Sequence, residues 1–211
     1  MIQTLVAALQ TSSDRFGPDH PRTLAIVHRL VMALWQTGDL NGAVSLLDRA
    51  LDRLTASLGV DHPARVDVLH TLGEILFGQG HLDQAAVIFR EVLECDTRYA
   101  GPNHASSLEA KADLAAVLFE LGHEAEADSL EQQACEDARQ HLGPGHSVTT
   151  FLVWNRALSF ERRGDLESAR MLFMNELAWL LTQDPADLEP GPNRIRTMLA
   201  ERLHWNRAPQ C

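Results

Sequence analysis

Residues 59–100 read GVDHPARVDVLHTLGEILFGQGHLDQAAVIFREVLECDTRYA. The segment opens on a turn, Gly59 to Pro63, and runs through an apolar-periodic stretch to Phe77. It breaks at Gly78-Gln79-Gly80 and resumes as a second periodic stretch from Leu82 to Tyr99. Apolar residues recurring at i, i+3, i+4 and i+7 mark amphipathic helices, so this spacing predicts one helix hairpin. The hairpin is then repeated. Gly17, Gly59, Gly101 and Gly143 stand 42 residues apart, and so do His20, His62, His104 and His146. Gly38, Gly80, Gly122 and Gly164 keep the same step, as do Ala43, Ala85, Ala127 and Ala169. Four columns in register over four units are the signature of a helical solenoid, whose hairpins bury their apolar faces against one another.

The composition suits that architecture. Of 211 residues, 45% are hydrophobic but only 6% aromatic, which favours close packing by Ala and Leu. The formal charge is −11, from 18 basic and 29 acidic residues without a Lys/Arg block. Such a chain repels phosphate backbones and anionic lipid, so no nucleic acid and no membrane is expected as a partner. No apolar run approaches the ~20 residues that span a bilayer, and no signal peptide is legible. Cys95, Cys135 and Cys211 lack a metal-type spacing, so a reduced, cytoplasmic protein is expected, with no cofactor and no metal. Cys135 shares a column with Leu9, Leu51, Leu93 and Leu177 and reads as a small buried hydrophobe. Cys95 shares one with Arg53, Asp137 and Trp179 and reads as exposed.

Taken in order, residues 1–16 form half a repeat, with Ile2, Leu5, Val6 and Leu9 along one stripe; lacking cover, this helix is a candidate homodimer contact. Repeats follow at 17–58, 59–100, 101–142 and 143–182, then a Pro-rich loop (183–192), a capping helix (193–206) and a frayed tail from Arg207. The whole is read as one solenoid domain. Asp19, Asp61 and Asn103 stand before first helices and are the expected N-caps, with Pro21 and Pro63 in the first turn. The repeated histidines belong to the same turns; spread along a ridge at ~8–10 Å or more, they cannot share one metal. Small residues at 31/73/115/157 and 43/85/127/169 let helix axes approach, and larger neighbours fill the core.

These small positions, the Gly between helices, and the large apolar residues at Leu47, Phe89 and Phe173 resemble tetratricopeptide repeats. The 42-residue step and the turns Phe16-Gly17-Pro18-Asp19-His20-Pro21 and Leu58-Gly59-Val60-Asp61-His62-Pro63 are similar to the long-repeat subclass of kinesin light chains and bacterial regulatory proteins. The resemblance implies an all-α, right-handed α-α superhelix of about four and a half hairpins plus a capping helix. It also implies a peptide- or protein-binding scaffold, with the first helices lining the concave face. Kinesin-like units often carry an Asn pair early in the first helix; here those places hold His28-Arg29, His70-Thr71, Ala112-Asp113 and Trp154-Asn155.

On that face, residues seven apart share one side of a helix: His28 and Trp35, His70 and Phe77, Ala112 and Phe119, Trp154 and Glu161. Met32, Glu74 and Leu158 lie between them, and Arg29, Thr71, Asp113 and Asn155 alongside. An aromatic stripe with polar flanks suits a groove for a protein or peptide partner, while the same rings could simply pack between repeats. A second reading is a small-molecule or catalytic pocket around His28, Trp35, His70, Glu74 and Trp154, in which His70, Glu74 and Asp113 are placed for acid–base or metal work. No nucleophile elbow, His-x-x-x-His pair or phosphate loop accompanies them, so no catalytic residue is assigned. Three charges break apolar columns: Arg156 under Leu30, Leu72 and Leu114; Glu131 under Leu47 and Phe89; Glu176 under Ala50, Val92 and Ala134. Since lone buried charges are costly, Arg156 is expected to pair with Glu131 or Glu176.

Overall fold

The computed structural model describes residues 1–205; the tail expected from Arg207, and Cys211 with it, lies outside the described residues. Among these, ten α-helices and no strand are found: α1 (Ile2–Phe16), α2 (Pro21–Gln36), α3 (Leu40–Leu58), α4 (Pro63–Gly78), α5 (Leu82–Ala100), α6 (Ala105–Glu120), α7 (Glu124–His141), α8 (Ser147–Arg162), α9 (Leu166–Leu172) and α10 (Pro190–Trp205). The helices group into two compact units, residues 1–123 and 124–211.

In the first unit each helix packs on the next, and α2 also packs on α4, the next first helix. The floor of the stack is made by Val31, Ala43, Leu47, Leu54, Ala85, Phe89 and Leu108, each at most 2% exposed. α1 is joined to α2 by a buried hydrogen bond between the Ser12 and Thr23 hydroxyls, 2.8 Å apart. Each hairpin bends through the same turn. His81 N–H donates to the Leu76 carbonyl and Gly80 N–H to that of Phe77, with Gly80 at φ 77°. This is a Schellman closure, which needs a left-handed residue and satisfies carbonyls the helix end leaves open. Asp39 to Leu34 and His123 to Leu118 repeat it.

The first helices begin differently from the sequence expectation. Asp19, Asp61 and Asn103 are not the caps; the histidine after each of them is. Nδ1 of His20, His62, His104 and His146 accepts the backbone N–H two residues on, at 3.1, 3.2, 3.3 and 3.2 Å. The Asp side chains are drawn away by long-range partners: Asp19 takes the Arg53 guanidinium and Ser57 hydroxyl, and Asp61 takes Arg98 at 2.6 Å. A cap that accepts through imidazole is replaceable only by another short acceptor. His62→Ala is therefore expected to cost about 1 kcal/mol in urea unfolding and His62→Asn close to nothing. Equal losses from both would show that the ring acts by packing instead.

Cys95, expected to be exposed, is 1% exposed among Val66, Leu69, Val92 and Ala110. Its column partner Arg53 reaches the turn Asp directly, but in the next repeat Arg98 does so from one turn further along α5, which leaves position 95 for a small apolar-like thiol. Cys135 is buried as expected, and burial pushes its thiol up to about 12.

In the second unit α8 packs against α7, α9 and α10. The second helix of the fourth repeat is short. After Leu172 the chain widens into a π turn (Phe173–Leu177) and tightens into a 3-10 turn (Ala178–Thr182), burying Phe173, Leu177 and Leu180. The last helix starts at Pro190 rather than 193, because proline and Gly191 fit a first turn whose N–H groups are unpaired anyway.

Candidate functional site

A groove in the first unit lies between α2 and α4, the first helices of successive repeats. It encloses about 650 Å³ and includes Leu24, Val27 and Val68 among its apolar lining and His28, Asp67 and Glu74 among its polar lining. Of the residues expected on this face, His28, His70, Thr71 and Glu74 line the groove. Arg29, Met32, Trp35, Phe77, Asp113 and Phe119 do not. Trp35 instead presents a ring edge to Gly78: a Cβ there would come within 3.0 Å of its Cζ2, so the ring packs one repeat on the next. Asp67 was not singled out from the sequence, and His62 was read there only as a turn residue. Asp67 stands three residues before His70, on the same helix face, and that spacing was the available signal.

A ladder of side chains ties successive first helices together. Thr71 Oγ lies 3.5 Å from His28 Nδ1 and donates to the Asp67 carbonyl at 3.0 Å; His70 Nε2 lies 2.7 Å from Asp113 Oδ2 on α6. The other His70 nitrogen faces Glu74 at 4.0 Å, and Phe89 meets the ring edge-on at 5.7 Å between centroids. The Asp113 hydrogen bond raises the His70 pKa to about 8, against an opposing desolvation. With carboxylates at both nitrogens the ring is a cation and a donor near neutral pH, which makes it a poor general base. Among the described residues no three His, Cys, Asp or Glu side chains converge as a metal site. Burial pushes the Asp67 carboxyl up, and likewise Asp96 nearby on α5. Asp67 makes no hydrogen bond or ion pair through its carboxylate among the described residues.

The His70 contact has a pH sign. Its folded value of about 8 lies above the ordinary 6.5, so its stabilisation is complete below pH 6.5 and is lost as pH rises through 8. With the side chain 34% exposed, solvent screening reduces the contribution to about 1 kcal/mol. In Asp113→Asn, burial is left as the dominant influence, and His70 is expected to titrate at or below 6.5 in an NMR pH series. A ring still titrating near 8 would remove Asp113 as the cause.

In the second unit Trp154 is 5% exposed, against Phe173 at 5.3 Å and beneath the Arg202 guanidinium at 5.4 Å. Arg202 is held there by Glu161 at 2.7 Å. Trp154 therefore presents no surface to a ligand, which corrects its assignment to a groove or pocket; Asn155 and Leu158 beside it are half-buried. The expected pairing of Arg156 is also corrected. Its guanidinium lies 3.4 Å from Asp128 Oδ1 and over the Phe160 ring at 5.1 Å, not on Glu131 or Glu176. Glu131, 7% exposed, takes the Ser159 hydroxyl and Arg163 at 3.2 Å, while Glu176 binds Arg139 through both oxygens at 2.6 and 2.8 Å. One turn of α7 separates Asp128 from Glu131, and Arg156 takes the nearer while Arg163 spans both.

Residues 23–98 and 107–147 match tetratricopeptide-repeat models, together more than half of the chain. No curated protein matches it. Among solved structures it is similar to BtubC (BKLC) from P. vanneervenii, with 17% identity over 100% of this chain and 94% of that one and a TM-score of 0.72. It is also similar to the nearly identical TPR-like repeats described as a kinesin light chain of Podosopora anserina, at 21% identity, 89% and 90% coverage and a TM-score of 0.64. A single-substitution form of the latter gives 22%, 86% and 85%, and 0.69. At these identities the likeness is one of fold, that of an all-α solenoid. Repeat matches, hairpin geometry and the 42-residue step agree: the chain belongs to the tetratricopeptide-repeat family, with the long repeat seen in kinesin-light-chain-like structures.

Proposed function

We propose that the protein is a binding scaffold that holds a segment of a partner polypeptide in the groove between α2 and α4, without chemistry of its own. The observation that carries this reading is the pairing of an apolar floor with Asp67, a partly desolvated carboxylate that makes no hydrogen bond or ion pair among the described residues and feels only the longer-range charge of His28, His62 and His70. A basic or amide group on a bound segment would satisfy it, and apolar side chains would cover Leu24, Val27 and Val68. The tetratricopeptide fold generally serves protein–protein contacts, which favours a polypeptide over a small molecule. In this reading the α2/α4 groove is part of the concave face. With free thiols at Cys95 and Cys135, the protein suits a reducing compartment such as the cytoplasm. No described helix is long and apolar enough to cross a membrane.

Filling the groove tests the proposal. Ala25 and Ala64 both line it, so Ala25→Trp with Ala64→Trp closes it from two sides. A polypeptide captured from native lysate by the wild type and lost by this variant supports the reading; one held equally by both, or none at all, overturns it. A self-contact through α1 belongs to the same proposal, since Val6 is 51% exposed beside half-buried Ile2, Leu5 and Leu9. A strictly monomeric mass at high concentration removes that part alone.

A further inference from the structure

We propose that the first unit carries a second docking groove, between α3 and α5, for a partner segment presenting one bulky apolar side chain with a lysine or arginine on each side of it. α3 and α5 are the second helices of successive hairpins, and between them Leu72 and Leu76 of α4 form a floor. Val44 stands on one wall and Val87 and Ile88 on the other, around a space of about 480 Å³. Val87 is 61% exposed, in a column that holds Ser45, Ser129 and, in the second unit, Met171. A branched apolar side chain left in water on a second helix, above an apolar floor, is the kind of site a partner's anchor residue fills.

Charge complementarity sets the partner's chemistry. Asp48 on α3 and Asp83 on α5 put one carboxylate on each wall, and among the described residues no cation or histidine lines the space. Neither carboxylate makes a hydrogen bond or ion pair among the described residues. A segment entering here meets negative charge on both sides of an apolar slot, which favours basic residues flanking the anchor and rejects acidic ones. This separates it from the α2/α4 groove, which is lined by His28, His62 and His70. Binding between α3 and α5 is therefore sensitive to salt and indifferent to pH between about 6 and 8, where histidine alone changes charge.

The test uses two acetylated, amidated synthetic peptides of equal length, one with a leucine flanked by lysines and one with glutamates in their place. Each is titrated into the isotope-labelled full chain. The lysine peptide is expected to shift the amide resonances of Val44, Asp48, Asp83 and Val87 saturably and to bind about tenfold more tightly than the glutamate peptide. Asp48→Asn with Asp83→Asn abolishes that difference, and Val87→Ser weakens both peptides; all these positions are at the surface rim and leave the core intact. Shifts confined to α2 and α4 overturn this inference while leaving the proposed α2/α4 function standing. Equal affinity for both peptides, or no saturable shift, also overturns it. So does a concentration-dependent dimer centred on the same residues, which would make a second copy the occupant.

Discussion

Gly73→Ala is expected to destabilise the protein by about 1–3 kcal/mol, although glycine to alanine inside an ordinary helix gains about 1 kcal/mol. Gly73 sits in the middle of α4, where a Cβ would lie 2.9 Å from both Cε1 and Cζ of Phe89 and 3.2 Å from Cγ2 of Ile88. Phe89 is 2% exposed, so its ring has nowhere to withdraw, and the repulsion outweighs the propensity gain. The repeat column explains the pairing of sizes: the hairpin with Val31 carries Leu47, while the hairpin with Gly73 carries the longer Phe89. Urea denaturation of Gly73→Ala, and of Gly73→Ala with Phe89→Leu, checks both halves. The double variant should recover part of the loss, and a single variant at or above wild-type stability would show that the ring yields.

Arg163→Met is expected to cost the second unit about 3 kcal/mol. Its guanidinium joins Asp128 at 2.8 Å to Glu131 at 3.2 Å, with the Arg163 side chain only 18% and that of Glu131 only 8% exposed. Removing one member of a buried pair leaves the other charge desolvated, which is the expensive half of the change. Replacing both, as Glu131→Leu with Arg163→Met, should restore most of the stability, because position 131 then matches Leu47 and Phe89 in its column. The pH dependence follows in sign. Burial already pushes the Glu131 carboxyl above its ordinary 4.5, so its unfavourable contribution is absent below 4.5 and grows as pH rises through the folded value. The Arg163→Met deficit should therefore shrink in acid; a deficit independent of pH would place the loss in packing.

The repeat architecture was legible because a fixed step constrains many residues at once. Gly59, His62, Gly80 and Ala85 each recur, and a helix period plus a repeat step suffice to bring His70, Thr71 and Glu74 to the groove beside His28. What escaped depends on contacts between chain-distant residues. Local rules give the cap to Asp61, but Arg98, 37 residues away, claims that carboxylate and the adjacent imidazole takes the cap. Likewise the choice of Asp128 over Glu131 for Arg156 turns on one helical turn of α7. Trp154 follows its column in sequence, yet Arg202 of α10 covers it through Glu161, a partnership that no spacing announces.

The glycines of this chain impose two different demands. Gly73 is required for want of room, so a smaller neighbour could relieve any substitution there. Around Gly80 a Cβ would find no atom within 4 Å, yet its φ of 77° is one that L residues rarely adopt. The obstacle at that turn is handedness rather than volume, and trimming the surroundings cannot repair it. A lineage can thus drift freely in the bulk of its helix faces by exchanging size between neighbours, while the bend between paired helices stays fixed to the one achiral amino acid.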